Sequence, residues 1–271
     1  MAVSETVLYL TDGRVASIVL NCPETRNAIT GEEMLTELVG AIARADADPS
    51  IGVLTVTGAG TAFSAGGNLK DMAERTGLFS GTPDEITEGY RRSIQRLTRA
   101  MLATDLATIA AVNGPAVGAG FDLALTCDLR IGSESAHFAH TFVDLGIIPG
   151  DGGAWLLPRV VGWQRASELA FTSRVVGAEE AVRLGILLEV VPANELAERT
   201  RALADLIASK PPTSVRFAKR LLRHARQMDL DGFLDLSAAL QAIAHHTDEH
   251  PRAVADYLQS LDKARKSAPA S

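Results

Sequence analysis

Two cysteines, Cys22 and Cys127, are all that 271 residues hold, and neither sits in a Cys-x-x-Cys or Cys/His spacing. That scarcity excludes a disulfide framework, fits a reducing compartment and leaves both as small buried hydrophobes. No window approaches the roughly 20 apolar residues of a membrane helix. The opening MAVSETVLYLTDGRVASIVLN lacks the basic start and long apolar run of a signal peptide. The expected location is the cytoplasm, with no membrane partner. Basic charge is short as well: 26 Lys and Arg against 33 Asp and Glu leave a net charge of −7. A phosphate backbone needs a basic face, so nucleic acid is disfavoured, although net charge leaves a local basic patch open. No glycine precedes Lys-Ser or Lys-Thr and no G-x-G-x-x-G occurs, which argues against a P-loop and a dinucleotide site. His137 and His140 stand three apart without a further ligand, so no metal is expected. No internal repeat is found, and the tail KARKSAPAS reads as disordered from its composition.

What is present is an ordinary globular composition, 46% hydrophobic and 22% charged, in a chain long for one domain and short for two. VLYLTDGRVASIVLN reads as a hairpin around Asp12-Gly13. In TGEEMLTELVGAIARADAD, Thr30 and Glu33 have capping-box spacing, and Met34, Leu35, Leu38, Val39 and Ile42 share a helical face. IGVLTVTG and LATIAAVNG are β-branched runs of buried strands. Between them, TGLFSGTPDE has turn composition and is expected to be a mobile surface loop. Ile94, Leu97, Met101 and Leu102 mark a helix ending near ATD, and short strands are expected at 129–131, 137–139 and in LLEVVP. The remainder is helical. The reading is an α/β layered core over 1–210 with a helical segment over 211–271, divided at the Pro pair after Lys210.

Two stretches repeat one pattern of β-branched strand, glycine-rich turn and helix: GVLTVTGAGTAFSAGGNLKDM and TIAAVNGPAVGAGFDLAL. A helix start leaves backbone N–H groups unpaired, and small residues there admit a ligand to the backbone. Two such N–H groups converging on one oxygen make an oxyanion hole, each donor worth about 10²–10³ in rate. Each stretch is equally readable as a close-packed turn. The second carries Asp122 in apolar company, where a carboxyl's pKa rises toward values that suit proton transfer. The alternative is a buried acceptor for a neighbouring donor.

LNCPETRNAIT, AFSAGGNLKDM, VNGPAVGAGFDLALTCDLRI, LGIIPGDGGAWLLPRVVG and GAEEAVRLGILLEVV, in that order, resemble the enoyl-CoA hydratase/isomerase (crotonase) superfamily over residues 7–259. The resemblance implies a crotonase-like spiral of β-β-α turns, with the C-terminal helices covering the site or a neighbouring subunit. It implies homotrimers, often paired into hexamers, and an acyl-CoA thioester substrate of the kind met in fatty acid metabolism. Coenzyme A arrives as part of that substrate, so no separate cofactor is expected. The implied oxyanion donors are the N–H groups of Gly67 and Ala119. Arg26 matches a basic position near the CoA phosphates, and main chain at Ala28, Ala65, Gly66 and Gly67 lines the adenine and pantetheine path. Leu69 and Lys70 follow, with Lys70 readable as a phosphate contact or as part of a solvated helix face.

Asp122 matches a glutamate that, in hydratases of the family, activates water together with a second glutamate. Here it is shorter by about 1.5 Å, one carbon–carbon bond. The second position falls on Phe142, which cannot activate water. Asp144 and Asp151 are the other acids nearby. Asp144 reads as a surface residue, and Asp151 either caps a helix or serves as the acid/base. Asp122 and Asp151 form the most economical catalytic set. Hydration of a 2-enoyl-CoA leads on family frequency, and isomerisation between 3-enoyl- and 2-enoyl-CoA by a single Asp is its rival. A non-catalytic acyl-CoA-binding homologue is a third reading, and RNA binding fits the acidic charge poorly.

Overall fold

A computed structural model describes residues 5–267 of the chain. The chain divides into two compact units, 1–205 and 206–271. In the first, β1 (Val7–Asp12) and β2 (Val15–Leu20) form the expected antiparallel hairpin at Asp12-Gly13. From β2 the sheet continues in parallel through β3 (Val53–Gly58), β4 (Ala107–Val112), β6 (Leu129–Ser133) and β9 (Glu189–Val191). The central strands are buried nearly throughout, which is why they read as apolar runs rather than alternating ones.

A second layer is made from the segments that follow these strands. β5 (Pro115–Val117) lies parallel to β7 (His137–Ala139), and β8 (Val176–Gly177) closes that sheet antiparallel. Single bridges, Ser64 to Ala116 and Ala28 to Gly66, carry the layer across the earlier turns. Each turn therefore places one strand in the large sheet and one rung in the small layer before a helix returns the chain. That is the spiral of β-β-α turns expected from the resemblance.

The helices of the first unit are α1 (Glu32–Ala47), α2 (Leu69–Glu74), α3 (Pro83–Arg92), α4 (Ile94–Ala103), α5 (Ala119–Thr126), α6 (Gly153–Val161), α7 (Trp163–Thr172) and α8 (Ala178–Arg183), with α9 (Leu196–Ala208) crossing the boundary. α1 buries Met34, Leu35, Leu38, Ala41, Ile42 and Ala45, the face its periodicity predicts. Two local expectations fail. Gly31, not Thr30, takes the N-cap of α1 and no side chain caps it; the Thr30 hydroxyl instead accepts from the Asn68 N–H at 3.1 Å. The stretch expected to be a loop holds a 3-10 turn at Gly77–Phe79 and then α3, which opens with a full capping box between Thr82 and Glu85. Thr-Pro-Asp-Glu supplies the cap, proline at the first helical position and acids in the first turn, a helix start that turn composition had masked.

The second unit comprises the end of α9 with α10 (Pro212–His224), α11 (Leu230–His245) and α12 (Glu249–Ser267). Glu249 at the start of α12 accepts from the Thr213 N–H and hydroxyl, both at 3.2 Å. Lys263 to Ser267, expected to be disordered, are helical, and the last four residues of that tail lie outside the described ones.

Candidate active site

The second glycine-rich stretch enters α5 through Gly118, whose φ of 52° and ψ of −121° suit only a residue without a side chain. Gly66 reaches it from the first stretch: a Cβ there would lie 2.3 Å from the Val117 carbonyl oxygen and 2.9 Å from the Ala119 nitrogen. The two loops thus touch backbone to backbone. The Ile29 N–H donating to Gly66 O at 2.8 Å and the Ala65 N–H donating to Arg26 O at 2.8 Å hold the first loop in place. Among the described residues, the N–H groups of Gly67 and Ala119 have no hydrogen-bond partner. Both residues line one cavity of about 20 Å³ with Thr30, Met72, Tyr90, Phe142 and Asp151, space for about one water molecule. Through Thr30, Leu78 and Phe79 it adjoins a larger cavity of about 320 Å³, walled by the start of α1 and by α3.

The acids lie against this cavity. Every residue of α5 is buried, and Asp122 is 2% exposed. Its Oδ2 accepts from the Gly153 N–H at 3.0 Å, and its Oδ1 lies 3.0 Å from His140 Nε2. Asp151 is 4% exposed, and among the described residues its Oδ1 has no hydrogen-bond partner. It does not cap α6; Gly152 holds the N-cap position, and the Asp151 side chain turns inward. α4 fixes that turn, with Gln95 Nε2 donating to Gly150 O at 2.8 Å and the Thr98 hydroxyl to Asp151 O at 2.6 Å. A smaller recess behind the cavity is lined by both Asp122 and Asp151, again with Ala119.

Burial sets the charges. Loss of water raises Asp122 to about 6, against the lowering effect of hydrogen bonds from Asp151 and Gly153. Desolvation, then the charge of Asp122 and the hydrogen bond to it, push Asp151 well above the usual carboxylate range. Burial also lowers His140 to about 4, so its imidazole is neutral. The Gly153 N–H lies on Asp122 while Asp151 Oδ1 has no donor, so the first negative charge of the pair rests on Asp122, with the raised Asp151 as the acid that donates to it. An ionised Asp122 then requires the His140 proton to be on Nε2.

The structure brings together Gly67, Ala119, Asp122, Asp151 and Phe142. Ala28 and Gly66 pair as a bridge beside them. Arg26 is exposed on a left-handed turn after the 3-10 turn Pro23–Thr25. Leu69 and Lys70 begin α2 on the surface, where Lys70 lies 4.0 Å from Glu74. Asp144 is exposed. Sequence reasoning passed over Tyr90, which lines the cavity and feels the charge of Asp151. It also considered His140 only as a metal ligand, without a partner set.

A model of the enoyl-CoA hydratase/isomerase family matches residues 11–266. The chain belongs to that family. It is 34% identical over 255 residues to a Mycobacterium tuberculosis protein described as a probable enoyl-CoA hydratase, covering 94% of this chain and 95% of the relative. It is also 34% identical over 254 residues to the 1,2-epoxyphenylacetyl-CoA isomerase of Escherichia coli, covering 94% and 95%. The crystal structure of an enoyl-CoA hydratase from Bacillus anthracis superposes with a TM-score of 0.87 at 31% identity, over 94% of this chain and 96% of that one. The chain is thus an enzyme of the enoyl-CoA hydratase/isomerase type with the crotonase fold, in a family that acts on acyl-CoA thioesters. No helix among the described residues is long and apolar enough to cross a membrane.

Proposed function

We propose that this enzyme moves a double bond between the 3- and 2-positions of an acyl-CoA thioester, with Asp151 exchanging protons with substrate. The observation that carries the reading is the buried, partnerless Oδ1 of Asp151, a residue that lines one cavity with Gly67 and Ala119, otherwise walled mainly by apolar side chains. The thioester oxygen sits between the two N–H donors. Asp151 takes the α-proton of a 3-enoyl-CoA at Oδ1 as its own acid proton passes to Asp122. The C–H electrons flow into the thioester carbonyl, giving a dienolate whose oxygen the two donors stabilise. The reverse shift delivers a proton to C4, and the electrons return to leave the double bond at the 2-position. Each step is proton transfer by a positioned carboxyl, worth about 10²–10⁴ in rate.

Phe142 supports this reading over hydration, because it puts a hydrocarbon where a second carboxylate would hold water. The cavity of about 320 Å³ offers room for the acyl chain. Arg26 and the main chain at Ala28, Ala65 and Gly66 belong to the CoA path in this reading. Ile148, Trp163 and Phe171, each more than 70% exposed, support burial of the first unit against further copies of the chain.

The test is NMR of a 3-enoyl-CoA and of crotonyl-CoA with the enzyme in D₂O. Migration of the double bond, with deuterium at C2 or C4 and no hydroxyl, is the expected result, and it should be lost in Asp151→Asn. A 3-hydroxyacyl-CoA product from crotonyl-CoA would overturn the assignment in favour of hydration. Binding of both thioesters without any proton exchange would make the protein an acyl-CoA-binding homologue.

A further inference from the structure

His140 follows β7 directly, two residues before Phe142, so one segment supplies both a cavity wall and a partner for Asp122. Its side chain is 1% exposed and that of Asp122 is 2% exposed, at 3.0 Å from Nε2 to Oδ1. The imidazole is held edge-on between two rings, its centroid 4.9 Å from that of Phe142 and 6.1 Å from that of Phe121. The Ser173 hydroxyl donates to the His140 carbonyl at 3.3 Å and fastens the backbone. A histidine packed so tightly presents one nitrogen to one carboxyl oxygen and has little freedom to do anything else.

We propose that His140 is a positioning residue: its Nε2–H holds the resting negative charge on Asp122, and so leaves the exchangeable proton on Asp151, the member of the pair that faces the cavity. This rests on the reading of Asp151 as the acid/base. Asp122 ionised accepts from three donors, the Gly153 N–H, His140 and Asp151. Asp151 is left with an open oxygen. Removing the His140 donor makes the charge on Asp122 less favourable and the pair harder to ionise. Among the described residues, the other titratable group facing the cluster is Tyr90 from α3, whose phenol is raised chiefly by burial and further by Asp151. With His140 itself lowered to about 4, the imidazole acts as a neutral donor throughout the working range rather than as a cation.

The experiment compares wild type with His140→Gln, whose amide nitrogen reaches about the same place, and His140→Leu, which fills space without donating. Carboxyl carbons of ¹³C-labelled aspartate are titrated by NMR without substrate, and pH profiles of kcat and KM are recorded beside them. In His140→Leu the ionisation of the pair should move up by about one pH unit, a tenfold loss of kcat on the acid limb at little change in KM. His140→Gln should titrate as wild type does. Unaltered titration in His140→Leu, or an equal displacement in both variants, overturns the proposal. Should His140→Leu not fold, ¹⁵N shifts of His140 in the unaltered enzyme decide: an Nε2-protonated tautomer at pH 7 supports the proposal and an Nδ1-protonated one overturns it. Because the titrations need no substrate, they stand whether or not the enzyme isomerises enoyl-CoA, which the D₂O experiment judges separately.

Discussion

Asp122→Asn separates the stability of this site from its chemistry. Asparagine keeps the shape and can remain satisfied, accepting from the Gly153 N–H while donating to His140 in its other tautomer. What it removes is a carboxyl raised from 3.8 to about 6 by burial. A raised carboxyl favours the folded state fully below its unfolded pKa, and that advantage drains away as pH rises through the folded value. At 1.36 kcal/mol per pH unit, the displacement of Asp122 amounts to about 3 kcal/mol lost between pH 4 and 6. The variant should therefore gain on wild type across that interval, up to about 3 kcal/mol by pH 7, while turnover falls about 10²–10⁴-fold with the proton relay. Urea denaturation followed by circular dichroism, at pH 4 and at pH 7, measures the difference. Asp151 titrates in both proteins, and in the variant it loses the part of its raise that comes from the Asp122 charge and hydrogen bond, which adds to the gain in the same direction. A wild-type-minus-variant stability independent of pH would refute the buried, ionising Asp122 on which the mechanism rests.

Three further outcomes follow from the geometry. Gly118→Ala meets no steric obstacle nearer than 3.7 Å, yet forces alanine to φ 52° and ψ −121°. It should cost about 1–3 kcal/mol in chemical denaturation, and the displaced Ala119 N–H should lower kcat about 10²–10³-fold. Gly153→Ala would place Cβ 2.0 Å from Asp122 Oδ1, so overpacking of about 1–3 kcal/mol should accompany near-complete loss of proton exchange in D₂O. Thr82→Ala removes the cap of α3 at a residue that lines neither cavity, and should cost about 1 kcal/mol in thermal or urea unfolding. Its activity at 25 °C should stay close to wild type.

The acyl-CoA reading also explains why the site tolerates so many glycines in structured elements. Close approach of the two loops is needed to bring the Gly67 and Ala119 N–H groups to one cavity, and a Cβ at Gly66 would collide with the backbone that holds Ala119. The helix that follows is therefore weak in propensity and strong in burial, with all eight residues of α5 buried.

The sequence alone determined the hairpin, the buried parallel strands, the apolar face of α1 and the small-residue turns, because each is written in residues adjacent along the chain. Its motifs were also enough to reach the family and to single out Gly67, Ala119, Asp122, Asp151 and Phe142. Local pattern misled where two readings of the same residues compete. Thr30 has the spacing of a cap but is drawn to Asn68, and Thr82 begins a helix inside what reads as a loop. Only the tertiary structure decided which acid meets the cavity, that Asp151 turns inward instead of capping α6, and that His140 belongs with Asp122. Those outcomes depend on desolvation and on contacts between segments far apart in the chain. A carboxyl's charge, like a histidine's tautomer, is set by what surrounds it after folding and has no signature in the residues beside it.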